Sequence, residues 1–315
     1  MRLLLVVNAF ASSVTARNKV MIHQILTDGG HEVAVVETNR RGHATRYAQD
    51  AVNRRVDVVV ALGGDGTLNE VVTGLAGSDT AVAVLPGGST NVFARTIGLP
   101  NDPVAAASVV ASAIAEGSVR RIGLGSVNGR YFTFHTGVGF DAAVVATVEK
   151  RANVKRWFGH PLFVWASVST WARGYDRRRP HFAVTVDDRP TLPNGMFTIV
   201  MNTNPYTFLG ERPLDLVPGA GLDSALAVVT FRRLTLAALV PALARALLGG
   251  GLPVDKAHLD VRRDVKTVLV EYEEPFPYQV DGDYLGETRR LQFTYVPDAV
   301  SLVVPPADQR SIAPK

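Results

Sequence analysis

Two glycine-rich turns and one Asp-Gly-Asp segment hold the residues of this chain whose types and spacing could do chemistry. In "VVALGGDGTLNEVV", Val59 to Val72, an apolar run meets three glycines and an aspartate, then a helix-like stretch. Glycines at the end of a strand let a phosphate approach the backbone closely, and the following helix presents unpaired N–H groups to it. Gly63, Gly64 and Gly66 would form such a cradle. Asp65 would repel bound phosphates unless a cation lay between, and an aspartate that holds Mg²⁺ against the phosphates of ATP resolves the conflict. The competing reading is a plain strand-to-helix turn with Asp65 or Thr67 as its N-cap. The second turn, "LPGGSTNVFARTIGLP", Leu85 to Pro100, follows the next strand and should stand beside the first. Two adjacent glycine turns favour a nucleotide site over a simple turn. Neither matches G-x-x-x-x-G-K-[ST] or G-x-G-x-x-G, which argues against P-loop enzymes and common dehydrogenases. The third segment, Asp281-Gly282-Asp283, reads on its own residues as a hairpin turn.

These residues need a scaffold, and the first part of the chain supplies one. Short β-branched runs, "RLLLVVN", "EVAVVET", "VDVVVAL" and "TAVAVLP", alternate with helical stretches at Ala16 to Thr27, His43 to Asn53, Leu68 to Leu75 and Asp102 to Glu116. That alternation predicts a doubly wound α/β domain with a parallel sheet, whose ligands bind at the carboxyl ends of the strands. "RLLLVVN" suits a buried first strand better than a signal peptide. After Gly117 the pattern changes to runs such as "RYFTFHTGV", "MFTIVMN", "ALAVVTF", "KTVLVEY", "RLQFTYV" and "VSLVV", each read as a strand and mostly without helices between them. A mainly antiparallel β-sandwich domain is expected there, interrupted by helices near Asp141 to Gly174 and Leu234 to Leu248. The boundaries predicted are 1–121 for the α/β domain, 122–304 for the β-rich lipid-substrate domain, with a return of its final segment to the first domain left open, and 305–315 for a tail.

Composition narrows the classes further. The chain has 315 residues, no cysteine and a net charge of +4. Absence of cysteine excludes a disulfide scaffold and a thiolate metal site and fits a cytoplasmic location. No run reaches the length of a membrane span. Lys150 to Arg179 carries eight Lys/Arg and one Asp, together with all three tryptophans, Trp157, Trp165 and Trp171. Basic residues with tryptophan suit peripheral contact with an anionic membrane, and equally a core helix with solvated basic ends. No motif that reads nucleic acid is present, so no nucleic-acid partner is expected.

The ordered set "GGDGTLNEVVTGL", "LPGGSTNVFAR", "GVGFDAAV", "VPGAGLDSALAVV" and "QVDGDYLG" resembles the diacylglycerol kinase catalytic-domain family, bacterial lipid kinases related to sphingosine and ceramide kinases. The resemblance implies an ATP- and Mg²⁺-dependent transfer of a γ-phosphoryl group to a lipid hydroxyl, with diacylglycerol as the first expected acceptor. It places the nucleotide at Asn8, Thr38, Gly63, Gly64, Asp65, Gly66, Thr67, Leu68, Asn69, Gly88 and Ser89. It implies a carboxylate base in the Asp-Gly-Asp segment, Asp283 first and Asp281 as alternative, and it lists Asp141 as lining of the acceptor site or cap of its helix. On this reading Asp65→Asn removes activity and leaves the fold. Four departures stand out. Asn8 is followed by Ala9 instead of proline, Val92 stands where the family has aspartate, Asp283 takes the place of a glutamate, and Ser224 occupies the position of a structural metal ligand, with Asp223 pointing to the other face if the segment is a strand, so a structural Mg²⁺ near Asp223 is doubtful. A soluble NAD kinase-like enzyme or a non-catalytic nucleotide- or lipid-binding protein is the alternative, and a homodimer is left open.

Overall fold

The computed structural model describes residues 1–149, 169–170, 175–176, 179, 181–253 and 258–305. The chain divides into two compact units, Met1–Leu124 with Pro297–Lys315, and Gly125–Val296.

The first unit is built from β1 (Arg2–Asn8), α1 (Ala16–Asp28), β2 (Glu32–Thr38), α2 (His43–Asn53), β3 (Val58–Gly63), α3 (Asp65–Leu75), β4 (Ala81–Pro86), α4 (Val92–Thr96) and α5 (Pro103–Ala115). Its strands pair in the order β2-β1-β3-β4, all parallel. The far edge of β4 takes Ser301 and Leu302 as a further parallel partner, from the end of the chain. Strands β3 and β4 are buried along their whole length, as apolar runs covered on both faces must be. The edge strand β2 is the exception, with Val35 46% exposed. Helices α1 and α5 start where a side chain satisfies their first N–H groups. Thr15 accepts from Asn18 N at α1, and Asp102 accepts from Val104 N and Ala105 N at α5, whose first residue is Pro103. Gly42 has no side chain to offer α2, and Glu70 of α3 supplies the carboxylate instead, accepting from Gly42 N and Ala44 N.

The chain continues through β5 (Val119–Val127), β6 (Arg130–Phe132), β7 (His135–Gly139), α6 (Phe140–Glu149), β8 (Phe182–Val186), β9 (Leu192–Gly195), β10 (Phe197–Met201), β11 (Thr207–Leu209), β12 (Arg212–Leu214), β13 (Leu226–Phe231), α7 (Leu236–Leu247), β14 (Leu259–Val265), β15 (Thr267–Val280) and β16 (Asp283–Val303), all in the second unit except the start of β5 and the end of β16. The strands β14-β13-β10-β7-β15 pair in that order, all antiparallel. Strand β15 hydrogen-bonds β7 with residues 278–280 and β8 with residues 268–271, so the sheet forks there. Alternation along β10 and β13 serves two cores. Val200 and Val228 face a cluster with Phe182, Phe276 and Phe293, while Ile199, Met201 and Val229 face Ala242 and Ala246 of α7.

Three local expectations change. Helix α3 begins at Asp65, three residues before Leu68, because Gly64 is extended and the chain turns helical directly after it. "RLQFTYV" and "VSLVV", which read as two strands, belong to one, β16, since Asp298 adopts a left-handed φ of 48° without ending the extended run. Residues 221–225 form a turn before β13, so the alternation of a strand does not apply to Asp223 and Ser224. Among the described residues no helix is long and apolar enough to cross a membrane.

Candidate functional site

Three loops at the carboxyl edge of the parallel sheet meet through backbone. Gly87 N donates to Gly63 O at 2.8 Å, and Ser13 N donates to Gly87 O at 2.9 Å. A Cβ on Gly87 would lie 2.8 Å from Gly63 Cα, and one on Gly88 would lie 2.8 Å from Gly64 Cα. Such distances are closer than side-chain carbons tolerate, so the two turns can touch only as glycine. A Cβ on Gly64 would meet nothing nearer than Gly88 Cα at 3.5 Å. Gly64 therefore presents bare backbone to open space, as a phosphate cradle requires.

Asn8 ends β1 beside Thr38, its partner in register at the end of β2. Its amide donates to Thr67 Oγ1 at 3.0 Å and its Oδ1 accepts from Phe10 N. The first loop is thereby tied to the first turn of α3 without the proline that usually stiffens it. Gly66 and Ser89 are exposed at the rim, whereas Leu68 and Asn69 are buried under it. The second turn is pinned by Asn91, a residue not singled out from sequence. Its Oδ1 accepts from Gly88 N, and its amide donates to Gly88 O and to Asn101 Oδ1. Asn91 has a left-handed φ of 49°, which asparagine tolerates better than most residues, and that preference was the available signal.

Asp65 is neither the N-cap of its own helix nor directed only at ligand. Its two carboxylate oxygens accept from Val92 N and Phe93 N, each at 3.0 Å, so α3 caps the short helix α4 from across the gap between turns. Val92 contributes its backbone N–H where the family has an aspartate side chain. The donor set suits phosphate well: exposed glycine backbone, a helix N-terminus and the Thr67 and Asn8 side chains. A Mg²⁺ ion bound there with the phosphates would neutralise their charge, and Asp65 would share its oxygens with the two N–H groups.

The second unit holds the other carboxylates. Val280 pairs with Asp283, and Asp281 and Gly282 between them have φ of 47° and 81°, a two-residue hairpin turn with both central residues left-handed. Asp281 is 5% exposed, and its carboxylate accepts from Thr133 N, Thr133 Oγ1, Phe134 N and His135 N. With its lone pairs committed to the loop between β6 and β7, it has little left with which to take a proton. The Asp283 side chain is 32% exposed, with an Arg130 guanidinium nitrogen 3.9 Å away.

Asp141 lies in the first turn of α6, buried under this hairpin. It accepts from Tyr206 Oη and, at 2.7 Å, from Gln279 Nε2, while Gln279 Oε1 accepts from Gly282 N at 2.7 Å. A relay thus runs from Asp141 through Gln279 to the turn that carries Asp283. A Cβ on Gly137 would overlap Asp141 Oδ2, so glycine there makes the relay possible. Burial raises the Asp141 carboxyl above its usual range, opposed by the hydrogen bonds from Tyr206 and Gln279. Burial also raises the Tyr206 hydroxyl and lowers His135, which stacks on Tyr206, to about 3. His135 is therefore a neutral buried side chain. Its Nδ1, with Thr136 Oγ1 and Thr203 Oγ1, is buried without a protein partner. Tyr206 and Gln279 were not singled out from sequence; Gln279 stood inside a quoted motif, and nothing local marked Tyr206.

At the doubtful metal position, Ser224 Oγ donates to Gly221 O and accepts from Gly221 N, and Ala225 N donates to Asp264 Oδ1. The turn is closed by its own hydrogen bonds. Among the described residues no group of three His, Cys, Asp or Glu is arranged to hold a metal. The Trp-rich segment from Lys150 to Arg179 lies outside the described residues except for 169, 170, 175, 176 and 179.

A glycine cradle on a parallel α/β sheet, joined in one chain to an antiparallel β-rich unit, defines a narrow class of proteins. Residues 2–148 match the family model described as the diacylglycerol kinase catalytic domain. A Pseudomonas aeruginosa protein named "Probable lipid kinase YegS-like" is 31% identical over 281 residues, covering 88% of this chain and 86% of that one. The "Diacylglycerol kinase" of Bacillus subtilis is 41% identical over 111 residues, which span 36% of that enzyme. A solved structure of a diacylglycerol kinase from Bacillus anthracis superposes with a TM-score of 0.71, covers 97% of both chains and is 22% identical. The chain belongs to the diacylglycerol kinase-like family of lipid kinases, and its activity is that of a kinase using ATP and a lipid substrate.

Proposed function

We propose that the chain transfers the γ-phosphoryl group of Mg²⁺-bound ATP to a primary hydroxyl of a membrane lipid, with diacylglycerol as acceptor and phosphatidic acid as product. The observation that carries this reading is the backbone contact of Gly63-Gly64 with Gly87-Gly88, which leaves Gly64 bare at a helix N-terminus. The first unit holds the triphosphate on these turns with Asn8, Thr67 and Ser89. Asp65 keeps α4 in place and adds a negative charge near the metal. In the second unit Asp283 takes the proton of the lipid hydroxyl as its oxygen attacks the γ-phosphorus and ADP leaves. Asp281, its carboxylate spent on the β6–β7 loop, holds the hairpin. Acting on an acceptor that lies in a bilayer, the enzyme works as a peripheral protein in phospholipid biosynthesis.

The test is transfer of labelled γ-phosphate to a panel of diacylglycerol, sphingosine and phosphatidylglycerol in mixed micelles, with NAD as soluble control. Label on diacylglycerol is expected. Label on another lipid would replace the acceptor, and label on NAD alone would refute the lipid reading. Asp283→Asn should lower kcat by about 10²- to 10⁴-fold with ATP affinity unchanged. Near-normal turnover in that variant would remove Asp283 as base.

A further inference from the structure

Helix α7 is held to the second unit by a narrow strip. Ala242 and Ala246 are buried and, with Leu239, pack against Val217 and Val229. The outer side of the helix is also apolar. Leu236, Val240 and Leu243 are 56%, 59% and 48% exposed, and Leu248, one residue past the helix, is 85% exposed. At helical spacing Leu236, Val240 and Leu243 share one face, with Ala237 and Ala244 beside it. A surface helix ordinarily turns charged residues outward, and this outer arc carries none. The charges stand at its border. Arg233 is exposed just before the helix, Arg245 is exposed in its last turn, and Arg232 donates to Asn194 beside them. From residue 224 to residue 254 the chain has these three arginines and no acidic residue.

We infer that α7 with Leu248 is the surface that seats this enzyme on an anionic bilayer. The aliphatic arc enters the boundary between headgroups and acyl chains, and the arginines meet lipid phosphates. A second copy of the chain suits the face less well. One arc of a three-turn helix offers roughly 400 Å² of apolar surface, about half of what each partner gives to a standard interface. The charges within residues 224–254 are all basic, and the carboxylate close to the helix end, Asp215, is only partly exposed, so arginine dominates the border and matches an anionic sheet. The inference rests on the reading that the acceptor is a membrane lipid.

Flotation with vesicles tests it without ATP or turnover. Wild-type protein should float with equimolar phosphatidylcholine and phosphatidylglycerol and much less with phosphatidylcholine alone. A triple variant, Leu236→Gln with Val240→Gln and Leu243→Gln, should bind anionic vesicles about tenfold more weakly at an unchanged thermal midpoint, because the side chains replaced are exposed. Arg233→Gln with Arg245→Gln should remove the preference for anionic vesicles. Wild-type protein that does not float, or a triple variant that floats as well as wild type, overturns the inference. So does sedimentation in which wild type is a dimer and the triple variant a monomer, which would make the arc an interface between copies. Turnover on a short-chain acceptor dispersed in water separates the two proposals: its absence in wild type sinks the function, whereas its retention in a variant that no longer floats supports docking through α7.

Discussion

At the scale of single residues, Asp65 carries more than one duty. From sequence it is a metal-organising carboxylate whose replacement by asparagine spares the fold. The structure alters that expectation, because both oxygens accept backbone N–H groups of α4. An asparagine there would set an NH₂ group against one of those donors. Loss of such a cap costs about 1–2 kcal/mol. Asp65→Asn should therefore lose turnover and also unfold at lower denaturant concentration. Urea unfolding indistinguishable from wild type would show the capping role to be idle. The two aspartates of the hairpin separate in the same way: identical side chains two positions apart, one spent on four donors and one a third exposed.

At the scale of elements, the cradle depends on two turns lying against each other. Gly87→Ala would drive a Cβ to 2.8 Å from Gly63 Cα and 2.9 Å from Val14 Cγ2, so both stability and nucleotide binding should fall. Gly64→Ala is the sharper probe. Its Cβ fits the protein at 3.5 Å from the nearest atom, and Gly64 has a φ of −83°, which alanine adopts freely. The protein should keep its stability to within about 0.5 kcal/mol, while ATP affinity falls at least about tenfold because the methyl group occupies the phosphate's place. Calorimetric titration with ATP reads this directly, and unchanged affinity would place the phosphates elsewhere. The relay from Asp141 through Gln279 to Gly282 is likewise a property of elements, linking α6 and β15 to the hairpin.

At the scale of the whole molecule, buried titratable groups set how stability responds to acid. His135 is lowered to about 3 by burial, while in the unfolded chain it takes up a proton near its ordinary 6.5. Between these values the unfolded chain binds the extra proton, so stability falls as pH falls, by as much as about 1.4 kcal/mol per pH unit. Asp141 works in the opposite sense. Its carboxyl is raised, so the folded chain binds the extra proton and acid favours folding through that group. His135→Gln should unfold more readily at neutral pH, having lost its packing on Tyr206, yet lose less further stability on acidification than wild type. Urea denaturation from neutral pH to about pH 4 would read the difference in slope, and parallel curves would mean that His135 is not the group responsible.

The alternation of apolar runs with helices was enough to establish the α/β unit, the β-rich unit after it and the place of the two glycine turns, because those features depend on local period and on glycine at strand ends. Ordered motifs placed Asn8, the two glycine turns and the Asp-Gly-Asp segment on the positions where the structure has strand ends and a hairpin. What only the tertiary structure decided are the partners. Asp65 bonds residues 27 and 28 positions away, Asp281 bonds residues more than 140 positions away, and Gln279 reaches Asp141 across 138. A carboxylate's role depends on which donors surround it, and those donors come from distant strands whose approach no local pattern encodes. The same holds for α7: its periodicity marks an apolar helix, but only packing tells which side the protein covers and which it leaves exposed.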